Sequence, residues 1–325
     1  MTFSRESIRI DAAAETDRIV GQLRSLVRQL KRGGAVVGVS GGIDSAVVLA
    51  LAVKALGAGR VVALTLPERD SDPISETLAG ELCATFGVSP IREDIRDALE
   101  GFGCYRRRDE AIARVIPEYD AAKGYKAKIV LPQNLLDEDT LNVFSVVVIT
   151  PDGQELSKPL PPAEFLQIVA ASNLKQRCRM SMLYYHGELR NYAVFGTANK
   201  NEHDQGFFVK YGDGGVDIKV IGHLFKTQVY QLAEHLGVPQ SIRSRPPTTD
   251  TYSAPCDQQE FFFRLPFETM DLLWYAQTHG VSAAEAAPVM GLTERQVQRA
   301  FDDFIRKERA TDYLRLAPVG LGAES

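Results

Sequence analysis

The sequence predicts an α/β protein built on a parallel, doubly wound sheet flanked by helices. Three observations predict it. Short, apolar, β-branched runs of strand type stand at 35–40, 61–67 and 192–197. Segments with helical spacing or helix-forming composition separate or flank them. Glycines and prolines punctuate the joins, as at Gly33-Gly34 and at Gly237 and Pro239. Parallel strands need a crossover connection, so this alternation places helices on the sheet faces.

Residues 15–32 carry Ile19, Val20, Leu23, Leu26, Val27 and Leu30 on one helical face. Gly33-Gly34 stops that helix. The run AVVGVS (35–40) has the fully apolar character of a buried parallel strand. AVVLALAVKALGAG (46–59) is apolar almost all round and ends in glycine, which predicts a buried helix. VVALTLP (61–67) is a second strand, 73–86 a helix and VSPIRED (88–94) a third strand. Residues 104–123 are charged, with three arginines at 106–108, and 126–160 alternates differently. Pro151-Asp152-Gly153 is a turn signal, so a β-hairpin excursion is expected within an insertion at 104–162, closed by Pro159, Pro161 and Pro162. The α/β rhythm then resumes: a helix at 172–189, a core strand at 192–197 and a helix at 226–236. The tail (258–325) is expected to be helical in short pieces, and the whole chain (1–325) to form one domain.

Composition narrows the function classes. The 325 residues include 37 Lys+Arg and 42 Asp+Glu, a formal charge of −5. A dedicated nucleic-acid binder would show a basic excess, so no nucleic-acid partner is expected. The N-terminus has no signal-type apolar run, and no stretch reaches about 18 uncharged apolar residues, so no membrane span is expected. The four cysteines, Cys83, Cys104, Cys178 and Cys256, form neither a Cys-x-x-Cys pair nor a zinc-type cluster. They read as free thiols of a reducing cytoplasm.

Chemistry concentrates in Val39-Ser40-Gly41-Gly42-Ile43-Asp44-Ser45, between a predicted strand and a predicted helix. Glycines there let backbone approach a phosphate, and free N–H groups at a helix start face the anion. Ser40 and Ser45 add hydroxyl donors, and Asp44 suits a Mg²⁺ ligand better than a phosphate partner. The loop matches neither G-x-x-x-x-G-K-[ST] nor G-x-G-x-x-G. A plain strand-to-helix glycine turn is the bland alternative, but flanking serines and an inward acid favour a nucleotide site.

This loop resembles the SGGxDS motif of the ATP-pyrophosphatase (PP-loop) superfamily, whose members adenylate a carbonyl or carboxylate. NLKQRCRMSMLYYHG (173–187), FGTANKNEHDQGFFVKYGDGGVDIKVIGHLFKTQVYQLAEHLGVP (195–239) and RPPTTD (245–250) together resemble the ammonia-dependent NAD synthetase family. On their own terms these blocks spread Lys210, Lys226, Arg177 and Arg179 among glycines, as a polyanion site requires. Glu202 and Asp44 could share a metal. Lys226 at a helix start opposes the helix dipole, which a bound anion would explain. Arg177 and Arg179, two apart, do not share one helix face, so one of them is expected to be a surface arginine.

The resemblance implies roles by residue. Gly38, Ser40, Gly41, Gly42, Ile43, Asp44 and Ser45 would hold the ATP phosphates, with Thr197, Lys226 and Thr248 as further ATP contacts. Asp44 and Glu202 would bind Mg²⁺. Asn173, Arg177, Tyr184, Lys210 and Asp217 would contact deamido-NAD, and Asp213 would lie near the ammonia, with Asp44, Lys210 and Asp213 as the catalytic set. The implied reaction amidates the nicotinate carboxylate of deamido-NAD through an acyl-adenylate. The implied assembly is a homodimer taking free ammonia or ammonia from a separate glutaminase. Three features depart from the family pattern: the large insertion, the single acid Asp257 where the family has an acidic run, and RKERATDYLRLAPVGL (306–321) where it has a basic pair before proline. A PP-loop ligase acting on a different carboxylate is therefore the rival reading. The helix-turn-helix-like stretch at 281–304 raises a transcription regulator, but its charges balance. A nucleotide sensor without turnover would not need both Asp44 and Glu202.

Overall fold

The computed structural model describes residues 3–132, 135–136, 143–248, 251–256, 258 and 262–321. Among these, the strands are β1 (Ala35–Gly38), β2 (Val61–Thr65), β3 (Pro90–Arg92), β4 (Lys126–Val130), β5 (Ser145–Ile149), β6 (Glu155–Pro159), β7 (Ala193–Gly196) and β8 (Ile218–Lys219). The helices that position the site are α1 (Ala12–Gln29), α2 (Ile43–Leu56), α3 (Pro73–Thr85), α4 (Arg96–Gly101), α5 (Cys104–Val115), α6 (Pro162–Arg190), α7 (Lys200–Gln205) and α8 (Lys226–His235). After α9 (Gln240–Arg243) the tail contributes α10 (Phe267–Thr278), α11 (Ala283–Met290), α12 (Glu294–Ala310) and α13 (Asp312–Arg315).

The main sheet is parallel, in the order β3-β2-β1-β7-β8, with Val36 opposite both Val62 and Val194. Successive side chains leave opposite faces, and both faces are covered. Ala35, Val37 and Val39 join Ala63 and Phe195 in the core shared with α1, α2, α3 and α8. On the other face Gly38 approaches Leu183 of α6, and Gly187 of α6 lies against Val194. α2 has sheet, α1 and α8 around it, which explains why its sequence is apolar almost all round.

Two boundaries and one unexpected strand differ from expectation. The third strand shrinks to three residues. β8 has only two residues, too few for a periodic signal. α6 starts at Pro162 instead of 172. Proline fits the first helical position, where its missing N–H would be unpaired anyway, so Pro162 opens the helix instead of closing the insertion.

The 104–162 segment holds the expected hairpin and more. Thr150 N donates to Gln154 O across the Pro-Asp-Gly turn at 2.9 Å, joining β5 to β6. β4 adds a third antiparallel strand on the free edge of β5. Ala127, Ile129, Val146 and Val148 point into a separate core with Ala111 and Ile112 of α5 and Ile168 of α6. The tail has its own core from α10, α11 and α12, in which Ala287, Met290, Val297 and Phe301 are buried. The helix-turn-helix-like stretch is thus packed core. All four cysteines are buried free thiols. Among the described residues no helix is long and apolar enough to cross a membrane.

One buried charge network joins α5 and α6 to the loop after β2. Lys175 Nζ donates to Glu68 Oε1 at 2.9 Å, Asp70 Oδ2 at 2.7 Å and Thr251 O at 2.8 Å. Arg108 donates to the same Asp70 oxygen at 2.5 Å and to Asp109 Oδ1 at 2.9 Å. The Tyr105 hydroxyl donates to Glu68 Oε2 at 2.8 Å. Burial alone would raise the Asp70 carboxyl, but Lys175 and Arg108 outweigh it and hold it well below the usual carboxylate range. The unfolded chain therefore binds that proton more readily, and the Asp70 contribution to stability is present near neutrality and lost as pH falls. Two outcomes are expected from urea unfolding. Lys175→Met, which leaves Asp70 to Arg108 but buries Glu68 with no cation beside it, loses about 3–5 kcal/mol at pH 7. Between pH 7 and pH values below the ordinary carboxylate range, about 4, the wild type loses more stability than Asp70→Asn does.

Candidate active site

In an open parallel sheet, ligands bind beyond the carboxyl ends of the strands where the order reverses direction. Here the reversal falls between β1 and β7. A cavity of about 880 Å³ opens there, lined from the main sheet by Gly38 and Val39 at the end of β1, Leu64–Leu66 at β2 and Phe195–Thr197 at β7.

The loop after β1 folds on itself through its serines. Ser45 Oγ donates to Gly42 O at 2.9 Å, Ser40 N donates to Ser45 Oγ at 3.3 Å and Gly42 N donates to Ser40 Oγ at 3.3 Å. Gly42 caps α2 with no side-chain hydrogen bond, and the first-turn residues Ile43, Asp44 and Ser45 line the cavity. Gly41 requires glycine twice over. Its φ is +74°, and a Cβ there would stand 2.7 Å from Ser75 O.

Two acids from distant parts of the chain meet at this loop. Asp44 Oδ2 accepts from Lys226 Nζ, and Asp44 Oδ1 accepts from Asn199 Nδ2 at 3.1 Å. Glu202 Oε2 accepts from Asn199 N at 3.1 Å, and Glu202 Oε1 accepts from Gln258 Nε2 at 3.1 Å. Burial, then the nearby Asp44 charge, raise the Glu202 carboxyl above its ordinary value, with Lys226 opposing. Asn199 and Glu202 form a reciprocal capping box at the start of α7. The sequence pattern Asn199-x-x-Glu202 carried that signal, and sequence reasoning missed both Asn199 and Gln258.

Lys226 is accounted for differently from the sequence expectation. No anion is needed at the start of α8. Asp271 of α10 accepts from Thr227 N at 2.7 Å, so a protein carboxylate answers the helix dipole, while the Lys226 ammonium reaches away to Asp44. Burial raises the Asp271 carboxyl to about 6, opposed by those donated hydrogen bonds.

Thr197, Thr248, Ile43, Asn173, Arg177, Lys210 and Asp213 all line the same cavity. Lys210 Nζ donates to Tyr313 O at 2.8 Å and Leu316 O at 2.9 Å, so the tail, whose Tyr313 and Leu314 also line the cavity, engages it. Burial pushes the Asp213 carboxyl up to about 6, although Val209 N donates to it at 2.7 Å. Both arginines line the cavity: Arg177 is exposed, while Arg179 is half-buried and donates to Leu66 O at 3.4 Å. Tyr184 and Asp217 are brought together, at 3.1 Å, but not among the cavity-lining residues. Asp217 is exposed and accepts from Val194 N at 2.8 Å. Asp257 lies outside the described residues. Sequence reasoning also missed Lys175, Glu68 and Asp70, whose partners are remote along the chain.

A strand-end glycine loop with a lysine-tied acid, set over a parallel sheet, defines an α/β nucleotide-site protein. The NAD synthase family matches this chain over residues 15–115 and 107–310. The NH(3)-dependent NAD(+) synthetase of Rhizobium meliloti (strain 1021) is 49% identical over 318 residues, 98% of this chain and 94% of that protein. The NH(3)-dependent NAD(+) synthetase of Thermotoga neapolitana is 38% identical over 245 residues, 75% of this chain and 78% of that protein. The chain belongs to the NAD synthase family. Among solved structures, an NH3-dependent NAD synthetase from Campylobacter jejuni has the same fold, with a TM-score of 0.61 at 21% identity over 96% of this chain and 100% of that one. An NMN synthetase from Francisella tularensis is similar in fold, with a TM-score of 0.60 at 21% identity over 96% of this chain and 99% of that one.

Gly41→Ala is expected to weaken ATP binding by about tenfold or more, since the loop must shift away from a φ whose strain is worth about 1–3 kcal/mol for a residue with a Cβ. Calorimetric titration checks it, and circular dichroism of the same sample should show the fold retained.

Proposed function

We propose that the chain is an ammonia-dependent NAD synthetase, forming NAD, AMP and pyrophosphate from deamido-NAD, ATP and ammonia. The convergence of Asp44, Lys226 and Glu202 on the Ser40–Ser45 loop is the observation that carries this reading.

The donor set fits a hard divalent cation. Two carboxylates converge with hydrogen bonds that leave lone pairs on both groups. Mg²⁺ usually takes one or two carboxylates and completes its shell with phosphate oxygens and water, so these two would be enough. When bound at Asp44 and Glu202, the ion neutralises charge on the ATP phosphates.

The chain itself supplies position and charge. The helix-start N–H groups with Ser40 and Ser45 hold phosphate oxygens, and Lys226 adds a buried positive charge beside them. Thr197 and Thr248 flank the nucleotide. Arg177, Lys210 and Asn173 hold the dinucleotide, so that a nicotinate carboxylate oxygen attacks the α-phosphorus and the bond to the β-phosphate breaks, releasing pyrophosphate. Ammonia then attacks the acyl carbon, the C–O bond to AMP breaks with its electron pair leaving on AMP, and nitrogen loses a proton. Asp213, within the same cavity, provides a negative charge that attracts ammonium. Tyr184 and Asp217, paired on the neighbouring surface, suit a dinucleotide site completed by a second copy of the chain. The ammonia comes from solution or from a separate glutaminase, and the reducing cytoplasm suits the free thiols.

Purified protein with deamido-NAD, Mg-ATP and ammonium chloride should form NAD with AMP and pyrophosphate in equal amounts. Asp44→Ala should lower kcat about a hundredfold or more, the scale of losing one main electrostatic contact. Pyrophosphate release with some other carboxylate alone would replace deamido-NAD as the substrate.

A further inference from the structure

The buried network of Glu68, Asp70, Arg108 and Lys175 takes no part in the steps above. Glu68 is 4% exposed, Arg108 1% and Lys175 0%. Burying this many charges is a poor route to stability, because apolar packing of the same volume often does as well or better. What charges with fixed hydrogen bonds do provide is position.

The groups tied together are the walls of the cavity. Leu66, Pro67 and Ser71, in the loop carrying Glu68 and Asp70, line it. Thr251 and Tyr252 line it from another direction, and the Thr251 carbonyl accepts from Lys175. Asp70 Oδ2 is shared, accepting from Lys175 of α6 and from Arg108 of the insertion. The loop with Asp70 runs directly into α3, where Ser75 O abuts Gly41 of the phosphate loop. The insertion also grips the 251–256 segment from its far side. Ala127 of β4 donates to Ser253 Oγ at 2.9 Å and accepts from Ala254 N at 3.1 Å, and Tyr252 and Cys256 sit in the insertion's core.

We infer that Arg108 is a positioning residue: the insertion uses it, through Asp70 and Lys175, to set the two loops that wall the nucleotide cavity, and thereby the affinity for Mg-ATP. The inference rests on the reading that Mg-ATP occupies this cavity. It gives the insertion a part in the site instead of a decorative place beside it.

The test is Mg-ATP affinity by calorimetry on the full chain, with Arg108→Met combined with Asp70→Asn. That pair removes one charge of each sign and leaves Lys175 matched to Glu68. The expected result is a Kd for Mg-ATP raised about tenfold, with melting temperature nearly unchanged and kcat at saturating ATP within about twofold of wild type. Arg108→Lys, which keeps a charge for Asp70, should recover most of the affinity. A folded double variant with wild-type Kd would overturn the inference. So would a loss of affinity matched by an equal fall in kcat and in melting temperature, the mark of general loosening. If the double variant does not fold, Arg108→Gln is measured the same way, and a wild-type Kd there is equally fatal. The Kd needs no deamido-NAD, so an error about that substrate would show as absent NAD formation with the Arg108 effect intact.

Discussion

Most of the site depends on one contact, the ion pair between Lys226 and Asp44. Lys226 is fully buried, and an ammonium so placed must have a counter-charge. Asp44 supplies it from the first turn of α2, where a helix start favours an acid. The pair locks the end of β1 to the segments that follow β7, across the point where the strand order reverses. Asn199 then links the acids, giving a side-chain bond to Asp44 and a backbone bond to Glu202. The resulting corner holds two carboxylates against one ammonium beside open helix-start N–H groups. Burial first, and then the Asp44 charge that Lys226 only partly offsets, raise the Glu202 carboxyl in that corner.

Around this corner the molecule divides its labour. The parallel sheet fixes the phosphate loop through packing on both faces, from α1, α2, α3 and α8 on one side and α6 on the other. The tail packs a separate core and presents Asp271 to the start of α8 and backbone carbonyls to Lys210. The 104–162 segment builds a third core and reaches the cavity through buried charge and strand-edge hydrogen bonds. Arg315 donates to His203 O at 3.3 Å and Asp204 O at 2.9 Å and fastens the tail to α7.

Much of this was legible in the chain. The apolar runs at β1, β2 and β7 announced themselves because both sheet faces are buried, and α2 did so for the same reason. The Ser40–Ser45 loop was legible as a strand-to-helix turn because its glycines and serines interrupt an apolar strand and an apolar helix. β8 was hidden by its brevity. The true start of α6 was hidden because proline reads as a breaker unless it occupies the first helical turn. Lys175 and Arg108 were not singled out, since nothing local marks a basic residue whose partner Asp70 lies about a hundred or about forty positions away. Lys226 was rightly singled out as anomalous, but its partner is a carboxylate of the protein itself.

The claim that Asp44 and Glu202 share a cation at the phosphate loop is tested most directly by anomalous diffraction. Crystals would be grown with Mn²⁺ and a non-hydrolysable ATP analogue. The expected result is a single strong peak in coordination range of both carboxylates and of a phosphate oxygen. A peak bound to phosphate alone, with Lys226 still holding Asp44 and Glu202 turned away, would contradict it.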